Sequence, residues 1–293
     1  MALEDTLQNW SQGPSETEQQ KCANAEQVIC AALNEDEELS QPSILVFTQG
    51  SYKARTNVKL DSDVDICVMN RDVFFADYPN NASHEDFGNV SSDLNFHDYK
   101  NMVERALVRK FGRVEVARGN KAFDIHANSY RIDADVVPVF EHRRYSQDGS
   151  YTKGVEFTTD RGTRIVNWPD QSHENGTNKN SLTSRKYKRT VRILKRLRNK
   201  MQDENIAAAS NIGSFLIESL IWNAPNELFN SSRYTDVVRE VLAFTHDNTL
   251  SQEACDEWGE VNELKYLFKG ASAGDRQRAN QFLRAAWDYL GYS

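Results

Sequence analysis

Apolar positions along the chain fall into three regimes. Between Ser15 and Leu33, the residues Ala25, Val28, Ile29, Ala32 and Leu33 recur at helical spacing. Ser15 and Glu18 make a capping box just after Pro14, so a helix is predicted over Ser15–Leu33, ending in the acidic turn Glu35 to Glu38. From about Ser43 to Val139 the runs are short and bounded by turn residues. Strands are predicted at Ile44–Thr48, Asp63–Met69, Val114–Ala117, Ala122–His126 and Tyr130–Val139, with a helix at His97–Phe111. The Asn-, Ser- and Asp-rich stretch Asp77–Asn95 reads as a surface loop. From Ser184 onward the period is helical, with segments at Ser184–Gln202, Ala207–Asn223, Tyr234–Phe244, Glu253–Phe268 and Asp275–Leu290. Tyr145–Asn180 carries polar turn residues and short strands near Val155–Phe157 and Ile165–Trp168. The pattern predicts an α+β lobe over residues 1–180 with a mixed sheet and an N-terminal helix packed across both lobes. A helical lobe over 181–293 follows, and ligands are expected in the cleft between the two.

Composition narrows the function classes. The 293 residues are 39% hydrophobic and 27% charged, and 35 basic against 43 acidic residues give a net charge of −8. That balance disfavours a protein that coats nucleic acid or anionic membrane with its whole surface. The longest apolar stretch, Phe215–Trp222, is interrupted by Glu218 and Ser219, so no membrane span is expected. The opening MALEDTLQNW has neither a basic nor an apolar leader region, and no signal peptide is expected. Cys22, Cys30, Cys67 and Cys255 lie far apart without a CxxC pair, which fits a reducing, cytoplasmic setting. The six histidines show no HxxxH or HExxH pairing.

The chemistry is concentrated in two segments. Gln49-Gly50-Ser51-Tyr52-Lys53-Ala54-Arg55-Thr56 follows a predicted strand, and Asp61-Ser62-Asp63-Val64-Asp65-Ile66 leads into the next. Gly50 allows close approach of backbone to a ligand, and Ser51 can open a short helix whose N–H groups point at phosphate. Asp63 and Asp65 are two residues apart, so on a strand they share a face with Cα atoms about 6.6 Å apart. Such a pair can converge on divalent cations about 3.5–4 Å apart, the arrangement used for in-line phosphoryl or nucleotidyl transfer. A third carboxylate is required from a neighbouring strand. Arg131-Ile132-Asp133-Ala134-Asp135-Val136 offers Asp135, with Asp133 on the same face as the alternative. An EF-hand fails, because Ile66 stands where its glycine belongs and Asp72 where its glutamate belongs. A P-loop fails because no Gly-Lys-Ser/Thr closes the segment.

The sequence GSYKART…DSDVDI followed by DADVVP resembles the DNA-polymerase-β-type nucleotidyltransferases. Within them it is most similar to the bacterial cyclic GMP–AMP synthase/DncV-like enzymes, the CD-NTases. Two further segments support the narrower family: Arg192-Ile193-Leu194-Lys195, which resembles the helix holding the donor triphosphate, and Gly213-Ser214-Phe215-Leu216-Ile217-Glu218, which resembles the next helix start. The resemblance implies a polymerase-β-like lobe followed by a helical lobe. It implies two Mg²⁺ or Mn²⁺ ions on Asp63, Asp65 and Asp135, and donor contacts from Gln49, Gly50, Ser51, Lys188, Arg192, Lys195 and Ser214. The basic segment fits that role independently. Arg185 to Lys200 holds nine Lys or Arg and no acid, within a chain of net charge −8. Lys188, Arg192 and Lys195 form one helical stripe, and a triphosphate carries about four negative charges that two metals only partly neutralise.

The family implies joining of nucleoside triphosphates (ATP, GTP or a pyrimidine NTP) into a cyclic di- or trinucleotide. That second messenger is read by a separate effector protein in phage defence. No inserted zinc ribbon of the kind that docks DNA is evident, so activity without a nucleic-acid activator is expected, from a monomer. Tyr145, Tyr151 and Trp168 are candidates either for base stacking or for packing, and Asn167 for reading a base edge. The rival reaction is nucleotidyl transfer to a macromolecule or drug, such as AMPylation, aminoglycoside modification or RNA end-addition. A non-catalytic nucleotide-binding scaffold on the same fold is disfavoured by the presence of all three carboxylates.

Overall fold

A computed structural model describes residues 2–39, 43–58, 63–80, 82–270 and 274–292. Asp61 and Ser62 of the DSDVDI segment lie outside the described residues. In chain order the elements are α1 (Leu3–Trp10), α2 (Glu16–Asn34), β1 (Ile44–Gln49), α3 (Gly50–Ala54), β2 (Val64–Asp77), α4 (Phe96–Phe111), β3 (Val116–Arg118), β4 (Phe123–Ile125) and β5 (Ala134–Tyr145). These are followed by β6 (Tyr151–Thr158), β7 (Arg164–Asn167), α5 (Pro169–Leu182), α6 (Lys186–Asp203), α7 (Ser214–Trp222), α8 (Tyr234–Thr249) and α9 (Asp275–Tyr289). Sheet and helices together make an α+β fold. The chain divides into two compact units, and the division is not a single cut. One unit holds Ser15–Lys53 and Ser62–Pro169, while the other holds Met1–Pro14, Ala54–Asp61 and Asp170–Ser293.

The first unit is built on a mixed sheet of order β1-β2-β5-β4-β3, with β6 paired to the far part of β5 and β7 to β6. Among the described residues only β2 and β5 run parallel, joined by the crossover that contains α4. The predicted capping box is present: Ser15 Oγ accepts from Glu18 N–H at 3.3 Å, and Glu18 Oε2 accepts from Ser15 N–H at 2.8 Å. It starts α2, whose Ile29 and Leu33 join Val103 and Leu107 of α4 in a core with Ile66, Val68, Val136 and Phe140 of the central strands. Tyr99 is wholly buried there and donates its hydroxyl to the Val68 carbonyl at 3.0 Å. Lys100, 1% exposed, donates to the Gly119 and Asn120 carbonyls and to Asp160 at 2.9 Å, tying the β3–β4 turn to the β6–β7 turn.

The second unit packs α6, α7, α8 and α9 around one apolar cluster containing Val191, Leu194, Leu197, Ile217, Val241, Phe282 and Leu283. Leu7 of α1 joins it, and Glu4 caps the start of α8 by accepting from the Tyr234 and Thr235 N–H groups at 2.8 Å each. No helix among the described residues is long and apolar enough to cross a membrane.

Several predicted segments are corrected. Glu253–Phe268 is not a helix: after one 3-10 turn at Glu253–Cys255 the chain folds back through a Gly259–Tyr266 bridge. Asn262 Oδ1 takes the Leu264 N–H at 2.8 Å and Glu263 adopts φ 58°, so side-chain hydrogen bonding displaces the helical pattern. Burial of Trp258, Val261, Leu267 and Phe268 accounts for the periodicity without a helix. The span Ala207–Asn223 is broken into a 3-10 turn at Ala207–Ala209 and α7, because Gly213 is extended at φ −75°, ψ 150°. Conversely, α1 and α5 carry too few apolar residues to have been predicted, although Pro169 stands at a favoured first helical position in α5. β2 runs on to Asp77 past an irregularity between Asn70 and Phe74, and β5 to Tyr145, beyond their predicted ends.

Candidate active site

β1 runs antiparallel to β2 with Gln49 opposite Asp65. At the next residue the chain turns, with Gly50 at φ 63°, into α3. A Cβ placed on Gly50 would lie 2.0 Å from Asp65 Oδ2 and 2.9 Å from its Cγ. The position therefore needs glycine twice over, for its left-handed backbone and for the carboxylate pressed against it. Ser51 follows in the opening turn of α3, where leading N–H groups have no partner within a helix.

β2 and β5 bring Asp65 into register with Asp135, and β4 brings Asp124 into register with Asp135 from the other side. Cross-strand partners share a face, so Gln49, Asp65, Asp135 and Asp124 form one row across four strands. Asp63 stands exposed just ahead of β2, two residues before Asp65. Asp133 is committed elsewhere: its Oδ1 accepts the Ala127 N–H at 2.6 Å and its carbonyl accepts the Val64 N–H at 3.1 Å. Asp124 is the residue sequence reasoning missed. Its strand was predicted, but nothing in a lone FDIH segment says which strand it pairs with or in what register.

Crowding of like charges shows in the titration of Asp135, whose carboxyl is pushed up to about 7. Burial is the largest cause, followed by the negative charges of Asp65, Asp124 and Asp63. Among the described residues no three His, Cys, Asp or Glu side chains are already drawn into a ligating set. The donors are all carboxylate oxygens, a chemistry that fits a hard divalent cation such as Mg²⁺ or Mn²⁺.

In the helical unit, α6 presents the predicted cations. Arg192 donates Nε to the Ser11 carbonyl and Nη1 to the Arg55 carbonyl, both at 2.7 Å. Burial, then Arg189, pushes its guanidinium down to about 10, still charged at neutral pH. Lys188 donates to Thr177 Oγ1 at 3.1 Å. Burial lowers its ammonium, Glu218 opposes this, and Arg55 and Arg192 lower it further. Lys188, Arg192 and Arg55 thus make a concentration of positive charge that an anion would relieve. Lys195 is buried and paired with Glu218 at 3.1 Å. Ser214, at the start of α7, accepts from Arg198 Nη2 at 3.0 Å.

The aromatic candidates separate. Trp168 is 2% exposed, with the Arg144 guanidinium 4.3 Å from its ring centroid and His142 edge-on to it. Tyr145 is stacked on Tyr78 at 5.3 Å and also meets Phe87 and Tyr151. Asn167 pairs with Val155 at the end of β7.

The cGAS/DncV-like nucleotidyltransferase C-terminal helical domain matches residues 174–291. The chain is 42% identical over 290 residues to a cyclic dipyrimidine nucleotide synthase CdnE of Cecembia lonarensis, covering 99% of this chain and 98% of that one. It is 39% identical over 291 residues to a protein of the same name from Legionella pneumophila, covering 98% and 97%. The solved structure of Elizabethkingia meningoseptica CdnE cyclic dinucleotide synthase with GTP and Apcpp superposes with a TM-score of 0.83 at 36% identity, over 99% of both chains. With similarity of this extent along its whole length, the chain belongs to the cGAS/DncV-like nucleotidyltransferases, the CD-NTases.

Proposed function

We propose that this protein joins two nucleoside triphosphates into a cyclic dinucleotide, with pyrimidine nucleotides as its preferred substrates. The observation that carries the reaction is the register Asp65–Asp135 beside Gly50, which sets two carboxylates on one face next to a helix-opening turn. Pyrimidine is proposed first because the relatives at 42% and 39% identity are both named for dipyrimidine products. The relative solved with GTP, at 36%, makes a purine product the competing outcome. Family membership further implies that the product is a second messenger read by an effector in anti-phage defence.

In this reading the donor β- and γ-phosphates rest on the Gly50–Ser51 turn, where N–H groups and the Ser51 hydroxyl face negative charge. Family membership implies donor contacts from Gln49 and, in the helical unit, from Lys188, Arg192, Lys195 and Ser214, whose cations would oppose the charge of a triphosphate. Asp63, Asp65 and Asp135 would hold two Mg²⁺ or Mn²⁺ ions. Such ions, when bound, lower the pKa of the acceptor ribose hydroxyl and neutralise the departing pyrophosphate. The residues of the row orient the reactants so that the ribose oxygen bonds to the α-phosphorus as the bridge to the β-phosphate breaks. A second such transfer closes the ring.

The test is to incubate the protein with all four NTPs and Mg²⁺ or Mn²⁺, digest with phosphatase, and analyse by liquid chromatography–mass spectrometry beside Asp65→Ala. A phosphatase-resistant cyclic species containing uridine or cytidine, absent with Asp65→Ala, is the expected result. A purine-only ring would overturn the base preference. Label transfer to RNA, protein or an aminoglycoside, without a cyclic product, would replace the reading with the rival reaction.

A further inference from the structure

Asp133 closes the loop that joins β4 to β5. Its Oδ1 accepts the Ala127 N–H at 2.6 Å. The antiparallel β4–β5 ladder ends where Ile125 stands opposite Ala134, so this bond spans the loop directly beyond the last pair. A carboxylate that accepts from a backbone N–H makes a charge-assisted bond, shorter and stronger than a neutral one. The main chain of the same residue reaches the other way. The Asp133 carbonyl accepts the Val64 N–H at 3.1 Å, just ahead of the parallel pairing of β2 with β5 that begins at Val64 and Ala134. Asp133 is thus bonded to the exit of β4 through its side chain and to the start of β2 through its backbone.

The rest of the loop is anchored within the same unit. Asn128 Oδ1 accepts the Tyr130 and Arg131 N–H groups at 2.9 Å each, and the Asn128 N–H donates to the Arg131 carbonyl at 3.0 Å. An asparagine side chain used in this way supplies partners that a loop backbone otherwise lacks. From α2, Asn24 Nδ2 donates to the Tyr130 carbonyl at 2.9 Å, and Asn24 Oδ1 in turn accepts from Gln20 Nε2 at 3.0 Å. From α4, the Phe111 ring centroid lies 5.0 Å from the guanidinium carbon of the buried Arg131. The loop is therefore held in its middle by both helices and at its end by Asp133.

We propose that Asp133 is a positioning residue for nucleotidyl transfer: it ties β4, β5 and β2 together at the end that carries the carboxylate row. The peptide unit joining Asp63 to Val64 is planar, so a hydrogen bond on the Val64 N–H also fixes the plane from which Asp63 departs. Asp65 is the next residue along β2, and Asp135 stands two residues after Asp133 on β5. One residue therefore restrains the backbone beside all three carboxylates. In this role the Asp133 side chain works as an acceptor for the loop and not as a metal ligand, so an oxygen is needed at that position and a charge is not. The proposal rests on the metal role given above to Asp63, Asp65 and Asp135.

The test compares Asp133→Asn, Asp133→Ala and Asn128→Ala in the full chain, with Asp135→Asn as the reference for a lost metal carboxylate. Turnover is followed by cyclic-product formation and folding by thermal melt. Metal affinity is read by calorimetric titration with Mn²⁺ in the presence of a non-hydrolysable NTP analogue. Asparagine keeps an oxygen that can accept the Ala127 N–H but lacks the charge of a metal ligand, whereas alanine lacks both. The expected result is an Asp133→Asn variant within about threefold of the wild type in kcat and in Mn²⁺ affinity. Asp133→Ala and Asn128→Ala should each lower kcat by about tenfold or more while remaining folded at the assay temperature. Either of two results overturns the proposal. In one, Asp133→Ala turns over like the wild type. In the other, Asp133→Asn loses product and Mn²⁺ affinity as fully as Asp135→Asn, which would make Asp133 a metal ligand. Should Asp133→Ala not fold, Asn128→Ala takes its place, and wild-type turnover in that variant overturns the proposal. The wild type is its own control: if it neither binds Mn²⁺ nor forms a cyclic product, the functional reading fails, whereas a productive wild type with indifferent variants sinks only the positioning role.

Discussion

Gly50 and Asp65 are in contact so close that a single added carbon on Gly50 would lie 2.0 Å from the Asp65 carboxylate oxygen. The turn that is proposed to receive phosphate and the carboxylate that is proposed to receive metal are therefore placed by one another. Gly50→Ala is expected to meet two penalties. A left-handed alanine costs about 1–2 kcal/mol, and the methyl group drives Asp65 out of the row. The melt should fall by several degrees, and product formation should drop by about 100-fold or more while the fold persists by circular dichroism. Wild-type turnover in this variant would show that the contact has no bearing on the reaction.

Asp65→Asn and Asp135→Asn each remove one negative donor from the row while keeping its shape. Both are expected to abolish product formation and to weaken Mn²⁺ binding, measured by calorimetry or by the free-Mn²⁺ paramagnetic resonance signal. Asp124→Asn, one strand further out, tests how far the row extends: a loss of Mn²⁺ affinity comparable to that of Asp135→Asn would bring Asp124 into the site.

The pH dependence of stability follows from the sign of the Asp135 shift. Its folded-state carboxyl titrates at about 7, above the ordinary carboxylate range, so the protein holds the proton more tightly folded than unfolded. The stability associated with that proton is complete below about pH 4 and is lost as pH rises through about 7. In metal-free buffer the wild type should therefore melt below Asp135→Asn at pH 8, with the difference closing toward pH 4. A gap that stays constant from pH 4 to pH 8 would contradict the shift.

Lys100 is a buried cation in the sheet-bearing unit. Lys100→Met leaves the Gly119 and Asn120 carbonyls without their donor and Asp160 without one of its two cationic partners. Because Asp160 is part-exposed and keeps Arg118, the cost comes mainly from the carbonyls left without a donor, about 1–3 kcal/mol. A chemical-denaturation midpoint well below that of the wild type is expected, and an unchanged midpoint would show that the neighbouring Arg118 suffices to hold Asp160.

Much of the molecule is legible from local pattern. The capping box of α2, the strand–glycine–serine turn, the Asp-x-Asp pair and the cationic stripe of α6 all depend on residues within a few positions of one another. Their physics acts over one helical turn or one strand, and so periodicity and spacing suffice. The same locality misled over Glu253–Phe268, where apolar spacing suited a helix but Asn262 and a left-handed Glu263 made a fold-back instead. Other decisions belong to tertiary structure because they join residues far apart in the chain. Local spacing alone established that a Gly-Ser turn, paired carboxylates and a basic helix were present. Only strand pairing decided that Asp135 rather than Asp133 stands beside Asp65, and that Asp124 joins the row, since register is set by long-range ladders. Only helix packing decided that Lys195 is buried against Glu218 and Thr56, since the spacing that puts a cation on a stripe says nothing about what covers that stripe.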